Sequence, residues 1–337
     1  MLSARRGGFT LTELLVAMAA MGMVIFYSLG TFTVQHQTYM VVDQVSEVQQ
    51  NSRAVAALME RDIRAAGYMV PAETAACGVD NANAADLLFV SDTDAILPLD
   101  DAAFPAELRA SELGADTATA SASGSLAVAV DNLVIDGTAT YDLDNNGSND
   151  SDFQVGGGAI LADLNNSERG VACGVVTAVS TTAPQSVTVS FGNALSSTIP
   201  LPADLRLVPA HVYQVVTPGG GAPSELRRDG MTLAKGVEDL QLAWFYDDDP
   251  GGTDGEVDAG EYRGVSGTAY VPAAVDGNDL RELRVNLVLR SKADHPRKPD
   301  AAGRGQSREN RTANLAGDDG RLRRVHTVTV RTRNIAL

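Results

Sequence analysis

The chain opens on an apolar run and then changes its period twice. Residues 9–29, Phe-Thr-Leu-Thr-Glu-Leu-Leu-Val-Ala-Met-Ala-Ala-Met-Gly-Met-Val-Ile-Phe-Tyr-Ser-Leu, hold a single Asp, Glu, Lys, Arg or His, namely Glu13. As a helix this run rises about 31 Å, enough to cross the hydrocarbon core of a bilayer. Beyond it, apolar or small residues recur at Val41, Val45, Val48, Ser52, Val55, Met59, Ile63 and Ala66, while Arg53, Glu60, Arg61 and Arg64 lie off that stripe. Steps of three or four predict an amphipathic continuation of the same helix. Gly67 and Pro71 end it. The expectation is one helix over about 9–66, far longer than a usual globular helix. Its first half belongs in lipid or a filament core, and its second half packs on the rest of the chain.

After residue 67 the pattern becomes short alternating or apolar runs bounded by Gly, Pro, Asn and Asp. These predict strands at 86–91, 126–135, 159–162, 171–180, 186–191, 204–208, 211–217, 231–234, 237–246, 281–291 and 324–333. The Ala/Ser/Thr/Gly-rich stretch 112–125 and the polar stretch 293–320 read as surface loops, the second with the composition of a disordered segment. The fold class is therefore α+β: a long N-terminal helix packed on an antiparallel β-sheet head with long loops.

Composition adds a core and an uneven charge. Of the 337 residues 44% are hydrophobic and 20% charged, the balance of a globular protein. The formal net charge of −17 disfavours non-specific nucleic-acid binding by the whole molecule. Residues 281–333 run against that total, with 14 Arg/Lys against 6 Asp/Glu. This segment is expected to pair with acidic faces of its own fold. A DNA- or partner-binding strip is the alternative.

The N-terminus carries the most specific chemistry. Arg5 and Arg6 precede the apolar run, so the positive-inside bias keeps the start of the chain cytoplasmic and sends the rest across. A secretory signal peptide is cut after its apolar run. Here the small pair Gly7-Gly8 lies before it, an order that suits a helix to be kept. An acid within a membrane helix costs about 2.5–3.5 kcal/mol by insertion scales. Glu13 therefore either lies near the interface and snorkels or has a specific positive partner, for which the α-amine that cleavage before Phe9 creates is the natural candidate.

Taken together, Gly8-Phe-Thr-Leu-Thr-Glu-Leu-Leu-Val-Ala-Met resembles the class III leader and N-terminal methylation motif of type IV pilins and pseudopilins. The resemblance implies that a prepilin peptidase cuts after Gly8 and N-methylates Phe9. It implies as well that Glu13 aligns with the terminal amine of a neighbouring subunit during assembly. Three further runs look like PilW-type minor pilins: Arg61-Asp-Ile-Arg-Ala-Ala-Gly-Tyr68, Lys235-Gly-Val-Glu-Asp-Leu-Gln-Leu-Ala-Trp-Phe-Tyr-Asp-Asp-Asp-Pro250, and Leu283-Arg-Val-Asn-Leu-Val-Leu-Arg-Ser291 with the terminal strand. Pseudopilins of the J class in type II secretion share a similar Gly-Val-Glu-Asp-Leu element. The implied partners are other minor and major pilins, the prepilin peptidase, the inner-membrane assembly platform and a tip adhesin. The implied domains are a leader at 1–8, a transmembrane or filament-core segment at 9–33, an amphipathic half-helix at 34–67 and an exported head at 68–337. The implied location is the inner membrane with the head in the periplasm, then a filament at the cell surface.

In an exported head, two cysteines admit one pairing, Cys77 with Cys173; only the fold decides whether the sulfurs meet. Two acidic loops are candidates for calcium. In Asp142-Leu-Asp-Asn-Asn-Gly-Ser-Asn-Asp150, the residues Asp142, Asp144, Asn146, Ser148 and Asp150 occupy positions one, three, five, seven and nine of an EF-hand-type loop around Gly147. The acid of position twelve is missing there, with Asp152 as substitute in a shortened loop. In the second loop Asp254, Asp258 and Glu261 fit positions five, nine and twelve around Gly255, with Asp247 or Asp249 looping in. Both loops are also ordinary Asx/Gly turns in composition. No catalytic pattern accompanies them: His36, His211, His295 and His326 show no metal spacing, and there is no Gly-x-Ser-x-Gly. The function implied is that of a minor pilin near a pilus tip, priming filament assembly. The alternatives are a J-class pseudopilin and, from another class, an adhesive or DNA-binding tip module.

Overall fold

Thr10 starts the long helix through a reciprocal cap. Its hydroxyl accepts from the Glu13 backbone N–H at 3.4 Å, and the Glu13 carboxylate accepts from the Thr10 N–H at 3.0 Å. From there α1 (Leu11–Ala65) runs without interruption through Gly22 and Gly30 for 55 residues, a length of about 83 Å. It ends at Gly67, whose φ of 81° suits only glycine well. The Gly67 N–H then donates to Ser91 O at 3.0 Å, turning the chain onto the sheet. The structure, a computed structural model, describes residues 10–68, 70–92, 111–112, 124–129, 151–181, 185–196, 204–247, 261–265, 268–291, 309, 323–332 and 335.

The described strands are β1 (Ala76–Val79), β2 (Leu87–Val90), β3 (Ser111–Glu112), β4 (Gly124–Ala129), β5 (Gly158–Asp163), β6 (Val171–Ser180), β7 (Ser186–Phe191), β8 (Leu205–Val216), β9 (Glu225–Arg228), β10 (Met231–Lys235), β11 (Val237–Tyr246), β12 (Tyr262–Arg263), β13 (Leu280–Arg290) and β14 (Arg323–Arg331). All their pairings are antiparallel. One sheet has the order β1-β2-β8-β5-β6-β7-β4, with β3 and the β9–β10 hairpin added to β8. The other has the order β12-β11-β13-β14. This is the expected α+β architecture.

The lower half of α1 lies across the four-stranded sheet. Val48, Val55, Met59 and Ile63 pack with Leu240 and Leu242 of β11, with Leu283, Val285, Leu287 and Leu289 of β13, and with Val330 of β14. Period 3.6 on the helix meets period 2 on the strands, and each fully buried side chain such as Met59 or Ile63 contributes about 1.5–3 kcal/mol. The second sheet joins this core through Leu88, Tyr213 and Leu226. Trp244 of β11 sits against Gly78 of β1, where a Cβ would lie 2.5 Å from its Cζ2.

The large sheet curls on itself. β1 and β6 are four places apart in hydrogen-bonding order, a separation of about 19 Å in a flat sheet. Yet Cys77 on β1 and Cys173 on β6 are joined by a disulfide with Cα atoms 6.1 Å apart. Phe89, Ile160, Val171, Ala210 and Val212 fill the space the curl encloses.

Several sequence-based boundaries moved, each for a local reason. The strands expected at 204–208 and 211–217 are one strand, β8, running through Pro209. Proline breaks a ladder only where its N–H is required. Pro209 falls between the stretch of β8 that pairs with β3 and the stretch that pairs with β2, and its carbonyl accepts from Ser91 Oγ at 2.7 Å. The strand expected at 126–135 starts earlier, as β4 from Gly124, inside the stretch read as a loop; 130–135 lie outside the described residues. Strands β1, β3, β9 and β12 were not expected, being short or, like Glu-Leu-Arg-Arg in β9, charged.

Candidate functional site: the helix and its seat on the head

The helix divides sharply into two environments. From Leu11 to Met40 every side chain is exposed, and the large apolar ones stand free of the head, with Leu11 at 79%, Phe26 at 78% and Tyr27 at 75%. From Val48 onward the expected stripe is buried: Val48, Ser52, Val55, Met59, Ile63 and Ala66, with Val41 and Val45 half-buried. The exposed part is long and apolar enough to cross a membrane. Isolated apolar side chains on a surface are ordinary, but a continuous sleeve of them is a site for lipid or protein.

Glu13 stands in the first turn of this sleeve. Besides the Thr10 backbone, its carboxylate accepts from the Thr10 hydroxyl at 2.9 Å. An acid at this position also faces the positive end of the helix dipole. Gly8 and Phe9, the expected cleavage and methylation positions, lie outside the described residues.

At the opposite end the helix is clasped to the head by a buried carboxylate. Asp62 is 2% exposed. Its Oδ2 accepts from the Tyr213 hydroxyl at 2.5 Å and pairs with Arg228 Nη2 at 2.8 Å, while Arg61 Nε reaches Oδ1 at 3.2 Å. Burial, then the adjoining Asp62 carboxylate, push the Tyr213 phenol well above its ordinary range and keep it a proton donor. Arg228 in turn leans over the Tyr213 ring, 6.0 Å from its centre. Asp62 is thus a polar key within an apolar stripe, and it joins α1 to β8 and β9. Asp62 was missed in the sequence. Its signal was an acid three residues after Met59 and seven after Val55, on the stripe itself.

Among the described residues of the basic segment, five arginines pair with carboxylates of the same chain. Arg281 pairs with Asp247 at 3.2 Å, Arg284 with Glu309 at 2.8 Å, Arg290 and Arg323 with Glu238 at 3.2 and 2.6 Å, and Arg331 with Glu282 at 3.6 Å. Within the stretch 293–320, Glu309 is held against the sheet.

The calcium candidates are only partly in view. Asp142, Asp144, Asn146, Ser148, Asp150, Asp249, Asp254 and Asp258 lie outside the described residues. Asp247 is buried with Arg281 beside it, Glu261 is buried with its carbonyl accepting from Tyr246 N–H at 3.2 Å, and Asp152 is buried as well. Among the described residues no three His, Cys, Asp or Glu side chains are grouped to hold a metal. His211 gives its Nδ1 to Asp229 at 2.6 Å, and Trp244 stacks on Tyr270 at 4.5 Å in the core.

Comparison with known proteins bears on the same end of the chain. Residues 3–26 match the prokaryotic N-terminal methylation motif. No curated protein matches the chain. A type IV-like pilin from Thermus thermophilus is similar in structure at a TM-score of 0.24 and 15% identity, over 55% of this chain and 89% of that one, a likeness too slight to carry an argument. What the chain carries, then, is a prokaryotic N-terminal methylation motif leading into a helix able to span a membrane, with an α+β head clasped to its far end.

Proposed function

We propose that this chain is a structural, non-enzymatic filament subunit: a PilW-like minor pilin incorporated near the tip of a type IV pilus, where it primes assembly. The observation that carries the reading is the exposed apolar stretch Leu11–Leu29, most of which falls within the methylation motif at residues 3–26. About 29 Å of exposed apolar helix has no stable place in water. A bilayer serves before assembly and the helices of neighbouring subunits serve after it.

On this reading a prepilin peptidase removes residues 1–8 and methylates Phe9, and residues 9–33 hold the chain in the inner membrane with the head outside. Glu13 then pairs with the terminal amine of the next subunit. Extraction from lipid exchanges one apolar surrounding for another, so the buried charge pair supplies the register. The head follows because Asp62 and the apolar stripe fix it to the same helix. The test is Glu13→Ala in cells that make the filament. Membrane insertion is expected to persist and incorporation to fail; normal incorporation overturns the pairing role.

A further inference from the structure

β14 is an open edge of the four-stranded sheet: it pairs with β13 and with no other described strand. In an antiparallel ladder every second residue turns its N–H and C=O away from the paired strand. Among the described residues, no backbone hydrogen bond besides the β13 ladder reaches residues 325–330. Their outward donors and acceptors form a row spaced for one more strand. Thr327 and Thr329 are exposed along it, and Arg331 keeps 65% of its side chain in solvent.

The other described edges are blunted, and this one is not. β1, β3 and β12 run for four, two and two residues, and β4 for six. β10 is bulged between Thr232 and Ala234 and ends on Lys235. Short strands, bulges and lysines are the devices that keep an edge from pairing. β14 has nine residues in one unbroken register, and residues 325–330 hold no Pro, Lys, Arg, Asp or Glu. Val325, Thr327, Val328, Thr329 and Val330 all favour extended backbone. The two faces of the strand differ: Val328 and Val330 lie on the side of α1, Thr327 and Thr329 on the other. Arg324 and Arg331 stand towards its ends, one on each face, and β14 carries no acid. A second copy of β14 fits poorly. Full antiparallel overlap sets Arg323 opposite Arg331 at both ends, and like charges directly opposite destabilise.

We propose that β14 is a docking edge for one strand of a partner protein, added antiparallel like every described pairing of this sheet. The strand that fits alternates apolar and hydroxyl residues and sets an acid opposite each of Arg324 and Arg331. Backbone hydrogen bonds supply the affinity, and alternate side chains supply the choice of partner. Incoming apolar residues extend the surface that Val328 and Val330 present beside α1, and hydroxyls continue the row of Thr327 and Thr329. Its two acids are seven positions apart, which puts them on opposite faces. The edge is the same whether or not the chain enters a filament.

The probe is a labelled peptide, Glu-Val-Thr-Val-Thr-Val-Thr-Glu, whose glutamates fall opposite Arg331 and Arg324. It is titrated into the full chain in detergent micelles, beside a peptide with lysine at both ends and a peptide with proline at its fourth and fifth residues. Amide hydrogen exchange of residues 323–331 is followed with each peptide in excess. The glutamate peptide is expected to bind about fivefold more tightly than the lysine peptide. That preference is expected to vanish when Arg324→Gln and Arg331→Gln are combined. Exchange across 325–330 is expected to slow at least about tenfold with the glutamate peptide. Neighbouring N–H groups of a strand alternate in direction, so the paired prolines remove a ladder donor whatever the register, and their peptide is expected to slow nothing. Exchange unchanged by the glutamate peptide, or slowed equally by the proline peptide, overturns the proposal. So does equal binding of the glutamate and lysine peptides by the unmodified chain, or a preference that survives the double substitution.

Discussion

Removing the Asp62 carboxylate tests how the helix is fastened to the head. Asp62→Ala leaves the Tyr213 hydroxyl without its acceptor and Arg228 without the carboxylate 2.8 Å from it. Breaking a buried pair from one side costs about 3–5 kcal/mol. Arg228 is still 17% exposed and has Asp229 at 3.8 Å, so the lower end, about 3 kcal/mol, applies. For a domain of this size that lowers Tm by about 6–12 °C. Urea unfolding of the full chain in detergent, followed by Trp244 fluorescence, reads the change directly. A double-mutant cycle with Arg228→Ala is expected to give a coupling of at least about 1 kcal/mol. A loss below about 1 kcal/mol for Asp62→Ala, or additive single effects, refutes the clasp.

Two further outcomes follow from the head. Asp86 accepts from the backbone N–H groups of Asn81 and Leu242 at 2.9 and 2.8 Å, tying the turn before β2 to β11. Burial, reinforced by Asp80 and Asp239 and opposed by those two hydrogen bonds, pushes its pKa up to about 8. With the folded value raised above an ordinary 3.8, its contribution is complete below pH about 4 and is lost as pH rises through about 8. Asp86→Asn should flatten that part of a stability–pH profile, and an unchanged slope contradicts the assignment. For the two acidic loops we propose calcium, with the weak affinity of extracellular sites; millimolar calcium is expected to raise the melting temperature of the full chain and chelator to reverse it, and a melt indifferent to both removes calcium from the account.

The helix was legible because a 3.6-residue stripe and an apolar run depend only on neighbours in sequence. Val55, Met59 and Ile63 announced their own burial. Asp62 did not, because its partners Tyr213 and Arg228 come from strands brought together only by tertiary pairing. The same limit hid Glu309, one of five acids in the stretch 293–320, whose partners Arg284 and Asn286 lie on β13. Pro209 misled in the opposite direction: it marked a break by local rule, while the surrounding strands left its position without need of an N–H. Nor could the spacing of Cys77 and Cys173 show that β1 curls back to β6, since that depends on the sheet order.

The central claim concerns the Gly8–Phe9 junction, and the mass of the mature N-terminus tests it most directly. Protein recovered from membranes or filaments of the source cell is expected to begin at Phe9 with one added methyl group, and Gly8→Ala is expected to retain residues 1–8. A mature chain that still begins at Met1, or one cut after the apolar run and so freed from its helix, contradicts the account.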